Sequence, residues 1–78
     1  ERRRDLVRTV KARGEESKVS IRSTRRDAQD TIRMIEKEGE ASQDDCQRAL
    51  KDLQKLTDDA VADIDIQSAA KEEEVMQV

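Results

Sequence analysis

The sequence predicts an all-α protein built as a long antiparallel two-helix hairpin, and three observations carry that prediction. Of its 78 residues 45% are charged and 33% hydrophobic, with no aromatic and no proline. Such a composition fits long helices and coiled coils while bordering on that of disordered chains, so periodicity decides. Apolar and small side chains recur three and four apart over four heptads, and the pattern then breaks once, at Gly39–Ser42, before resuming.

The first stripe reads Val7, Val10, Gly14, Ser17, Ile21, Thr24, Ala28, Thr31 and Ile35, widened by Leu6 and Ile32. A period near 3.5 marks a long amphipathic helix that packs along its whole length, over about residues 2–38. Its middle is thin, because Gly14, Ser17, Thr24, Ala28 and Thr31 are small or hydroxylic. They permit close approach but bury little area, and Gly14 alone costs roughly 0.8–1 kcal/mol relative to alanine.

Gly39 is placed to end that helix in the left-handed conformation, and Ser42 to cap the next, with Asp45 three residues on in the capping-box position. A connection as short as residues 39–42 joins antiparallel neighbours. The second stripe reads Cys46, Leu50, Leu53, Thr57, Ala60, Ile64, Gln67 and Lys71, flanked by Leu56 and Val61. It predicts a helix over about 43–74, followed by a tail, Val75–Val78, that frays unless something docks on it. Residues 1–78 thus form one partial helical-bundle domain. The stripes are wide for a two-helix contact, so a third helix is expected, from a part of the chain not included here or from a partner. A start at Glu1 in mid-pattern suits a fragment, which is not expected to fold alone.

Net charge is −3 but unevenly spread: residues 1–37 hold twelve Lys/Arg against seven Asp/Glu, a net +5, and residues 38–78 four against twelve, a net −8. With Ile21 at heptad position a, Arg4, Lys11, Lys18 and Arg25 share e, Arg8 and Arg22 share b, and Arg26 and Arg33 share f. These eight cations form one basic flank beside the stripe. A flank of this kind is commonly a solvated face knitted by pairs such as Arg26–Asp30. So many like charges are also easier to hold when phosphates neutralise them. With no aromatic side chains for base stacking, backbone or shape recognition of a folded nucleic acid is the nucleic-acid mode that remains.

Other chemistry finds little support. Cys46 lies on the stripe, and with no histidine in the chain it reads as packing; Met76 reads as tail packing. Asp44 and Asp45 serve the helix start, while Asp58, Asp59 and Glu72–Glu74 read as solvated faces. No phosphate loop, nucleophile elbow, metal box or cofactor motif is present, so no enzyme, cofactor or small-molecule substrate is expected. No run of 18 apolar residues and no signal-peptide core occur, and a soluble intracellular protein without a membrane partner is expected.

Several stretches in register resemble the ribosome recycling factor family: ERRRDLV at the start; Val19-x-Ile21-Arg22-x-x-Arg25-Arg26-Asp27-Ala28; Ser42-x-Asp44-Asp45; Leu53-Gln54-Lys55-Leu56-Thr57-Asp58; and Lys71-Glu72-x-Glu74-x-Met76. The resemblance implies a three-helix bundle whose first helix lies upstream of Glu1, with a small α/β domain inserted before the two helices seen here. It implies ribosome recycling after termination, with binding to large-subunit ribosomal RNA and action beside elongation factor G, which hydrolyses the GTP. RNA contact is implied for Arg22 and Arg25, with Arg26 completing the motif, and Lys18 stands on the same flank. A bacterial cytoplasmic factor and an organellar one read alike. Thr24 stands where the family usually has an apolar residue, and Ala62 and Asp63 where it often has lysines, so RNA contact from the second helix is not expected. The alternative is a structural coiled-coil adaptor with no RNA target.

Overall fold

A computed structural model describes residues 1–77 and contains two helices, α1 (Arg2–Lys37) and α2 (Gln43–Gln77), folded into an antiparallel hairpin about 57 Å long. The chain reverses as its polar residues dictate. Glu38 stays right-handed, while Gly39 takes φ 72°, a conformation costly for any residue with a Cβ. The Gly39 N–H then donates to the Glu36 carbonyl at 3.1 Å and the Glu40 N–H to the Ile35 carbonyl at 3.0 Å, the paired bonds of a Schellman ending. Ser42 caps α2 as expected: its hydroxyl oxygen accepts from the Asp45 N–H at 3.1 Å.

The seam between the helices is narrow. Cys46 and Thr57 are buried, at 3% and 7% exposure, while Val7, Val10, Ile21, Ala28, Ile35, Leu50, Leu53, Ala60 and Ile64 are half-buried. Thr57 satisfies its hydroxyl by donating to the Leu53 carbonyl at 2.8 Å. Burial pushes the Cys46 thiol above its ordinary pKa, with Glu36 and Asp45 adding to the effect. The thiolate needed for metal binding or nucleophilic attack is thereby disfavoured.

Two expectations about the seam need correction. Ser17, Thr24 and Thr31 belong to the sequence stripe yet lie exposed, and Lys18 and Arg25 are half-buried in their place. The stripe is wider than one helix can cover, so α2 takes only one of its flanks. The hydroxyls of Thr24 and Thr31 turn back on α1, donating to the Ser20 and Asp27 carbonyls. The tail also departs from expectation. α2 continues past Glu74 to Gln77, with Val75 half-buried in a recess it shares with Arg2, Arg3 and Leu6 of α1. Val78 lies outside the described residues.

The uncovered flank is an apolar groove along the part of the hairpin away from the turn, lined by Leu6, Val10, Ser17 and Thr24 of α1 and by Leu53, Leu56, Ile64 and Lys71 of α2. Leu56 remains 68% exposed there. Soluble proteins seldom leave so long an apolar strip uncovered.

Gly14 lets the two backbones close on each other: a Cβ at that position would stand 2.6 Å from the Ser68 hydroxyl oxygen. That oxygen is the only severe obstacle, since the next nearest atoms lie at 3.7 and 3.8 Å. The double variant Gly14→Ala/Ser68→Ala of the full-length protein is therefore expected to gain about 0.8–1 kcal/mol from helix propensity, read as a higher midpoint of thermal or denaturant unfolding. A lower midpoint would mean that the backbones cannot accommodate even a methyl group.

Candidate nucleic-acid interface

The basic flank divides in two once α2 is in place. Of the cations at heptad position e, Lys11, Lys18 and Arg25 reach α2, and those at b and f stay on the outer face of α1. Lys11 pairs with Glu72 at 3.5 Å. Lys18, only 14% exposed in its side chain, donates to Asp65 Oδ1 at 2.8 Å and lies 2.9 Å from Glu15 Oε1. Arg25 Nη1 donates to Gln54 Oε1 at 3.3 Å, and Gln54 Nε2 donates to Asp58 Oδ1 at 2.9 Å. These contacts form a polar ladder between the helices, in which Lys11 and Lys18 lie away from the apolar groove and Arg25 also borders it.

Arg8, Arg22, Arg26 and Arg33 are exposed on the outer face. Arg8 lies 3.7 Å from Asp5; among the described residues Arg22, Arg26 and Arg33 form no ion pair, and the Arg26–Asp30 pair suggested by the sequence is not made. From Thr24, which lines the groove, to Arg26 is about half a turn around the helix. The arginine face and the groove are thus on opposite sides of α1, and covering one leaves the other free.

The four residues singled out from the sequence are consequently not equivalent. Arg22 and Arg26 present free guanidinium groups to solvent. Arg25 sits at the boundary between ladder and outer face, with its Nε buried and without a protein partner. Lys18 belongs to the ladder. Sequence reasoning missed Gln54, Asp65 and Glu72, the α2 partners of these cations. The signal for them was the short turn: residues equidistant from it face one another.

Among the described residues no group of His, Cys, Asp and Glu could hold a metal, and no helix is long and apolar enough to cross a membrane. What the face offers is a row of planar, permanently charged donors suited to phosphate oxygens.

The hydrogen bond to Asp65, then that to Glu15, raises the Lys18 pKa above its ordinary 10.5. A raised folded-state pKa means that the contribution of Lys18 to stability is complete below the unfolded value and is lost as pH rises through the folded one. Lys18→Met in the full-length protein is expected to be less stable than wild type at about pH 8 and to approach it at about pH 11. Denaturant midpoints measured across that range check this; curves that stay parallel would contradict it.

The profile of the ribosome recycling factor family matches residues 1–76. The ribosome-recycling factors of Halalkalibacterium halodurans and Anaeromyxobacter dehalogenans are each 49% identical over all 78 residues, and that of Bordetella pertussis is 50% identical over the same span. The chain spans 42% of the length of each of these relatives. Matched along almost its entire length, the chain belongs to the ribosome recycling factor family.

Proposed function

We propose that this hairpin is the RNA-binding stem of a ribosome recycling factor. In this reading Arg22, Arg25 and Arg26 seat α1 on phosphates of large-subunit ribosomal RNA after termination, and the stem transmits a push from elongation factor G that helps part the subunits. The factor performs no chemistry, since the GTP is hydrolysed by its partner, and it works in the cytoplasm. The observation that carries the proposal is the outer face of α1, where, among the described residues, Arg22, Arg26 and Arg33 form no ion pair. Unneutralised arginines in a row cost Coulomb energy that a polyanion removes, with release of its counterions. Lys18, held by Asp65 and Glu15, adds to the local field and stiffens the edge of the stem rather than offering a free ammonium.

The apolar groove belongs to the same reading. A rod that transmits force needs its third side filled, and the relatives are more than twice as long as this segment. We assign the groove to a helix from the rest of the full-length chain, completing a three-helix bundle. A coiled-coil adaptor would instead place a separate helical protein there and would have no use for the arginines. Self-association through the groove, without ribosome binding, would favour that adaptor.

Removing Arg25 tests the RNA assignment. Arg25→Ala in the full-length protein is expected to weaken binding to isolated large subunits by about 5–100-fold and to reduce the salt slope of the affinity by about one, with helicity unchanged. Wild-type affinity and slope in that variant would refute the assignment.

A further inference from the structure

Among the cations of the ladder, Arg25 is held differently from the others. Lys11 and Lys18 each meet a carboxylate directly, Glu72 at 3.5 Å and Asp65 at 2.8 Å, and are partly neutralised by it. Arg25 meets the amide of Gln54 at 3.3 Å, and the carboxylate of Asp58 is reached only through that amide, at 2.9 Å. The polarity of this chain is fixed by its ends. A guanidinium can only donate and a carboxylate can only accept, so the amide must turn Oε1 toward Arg25 and Nε2 toward Asp58.

We infer that Gln54, on α2, is a positioning residue for RNA binding: it orients the Arg25 guanidinium at the boundary of the arginine face while keeping Asp58 from neutralising it. The inference rests on the reading that Arg25 binds phosphate. It goes further in giving α2, whose outer surface is acidic and makes no RNA contact in that reading, a part in the interaction through one uncharged side chain.

Three features support the role. Asp58 anchors Gln54 at i,i+4 on the same helix, so the amide is already oriented before it meets Arg25. Because Nη1 is engaged by an uncharged amide and Nε is buried without a protein partner, the guanidinium keeps its remaining Nη2 edge for an outside acceptor. The identity of the side chain also matters chemically. Glutamate at position 54 has nearly the same shape but would pair with Arg25 and cancel its charge, while losing the N–H that holds Asp58.

The test compares four variants of the full-length protein for binding to isolated large subunits over a range of salt, with circular dichroism as a check on folding. Gln54→Glu is expected to lose about as much affinity as Arg25→Ala and to lower the salt slope by about one, at wild-type helicity. Gln54→Met, which leaves Arg25 charged but unguided, is expected to weaken binding several-fold with the slope unchanged. Gln47→Glu makes the same charge change two turns earlier on α2 and is expected to keep the wild-type slope. If Arg25→Ala weakens binding but Gln54→Glu and Gln54→Met bind as wild type does, the positioning role of Gln54 is wrong while the RNA assignment stands. If Gln47→Glu lowers the slope as much as Gln54→Glu, acidic charge on α2 is responsible and the inference is equally overturned. If Arg25→Ala itself binds normally, the RNA assignment fails, and the role of Gln54 with it.

Discussion

At Gly14 the two helices approach until a methyl group on α1 would stand 2.6 Å from the Ser68 hydroxyl oxygen. So close an approach is possible because the seam is built from small side chains, and it has a cost: with little wider than Ala28, Thr57 and Ala60 at several levels, the seam buries little apolar area. A hairpin with so slender a core depends on what lies at its two edges. One edge is closed by Lys11, Lys18 and Arg25 reaching across to α2, and the other stays open as an apolar groove.

This asymmetry organises the rest. The polar ladder goes with one rotation of α1 about its own axis, and that rotation decides which cations remain free. Had the hydroxylic flank, Ser17, Thr24 and Thr31, faced α2 instead, Lys18 and Arg25 would lie on the outer surface and the groove would be polar. As folded, the outer face carries Arg22, Arg26 and Arg33, which form no ion pair among the described residues, and the groove, about half a turn away, carries Leu6, Leu53 and Leu56. Surface pairs like those of the ladder contribute little individually in water. Together they add polar constraints on register and rotation to those of the narrow apolar seam.

Much of this was legible in the sequence. Gly39 and Ser42 marked the turn because a left-handed residue and a side-chain acceptor are needed there whatever the tertiary fold, and both act as local chemistry requires. Cys46 lay on the stripe and is buried. The choice of flank was not legible, since a stripe covering positions a, d, e and g presents several candidate contact lines and only the partner helix selects one. Val75 was misjudged for a related reason: the start of α1 that shelters it is remote in sequence. Arg22, Arg25 and Arg26 were recognisable as a basic cluster, but their different situations depend on Gln54 and Asp65, which look like ordinary surface residues until the turn brings them across from Arg25 and Lys18.

The central claim is that the outer face of α1 meets RNA while α2 faces away from it. Arginine-specific chemical modification of the full-length protein, free and bound to isolated large subunits, reads this directly. Arg22 and Arg26 should be protected on binding, while Arg48, exposed on α2, stays as reactive as in the free protein. Unchanged modification at Arg22 and Arg26, or protection of Arg48 in their place, would contradict the account.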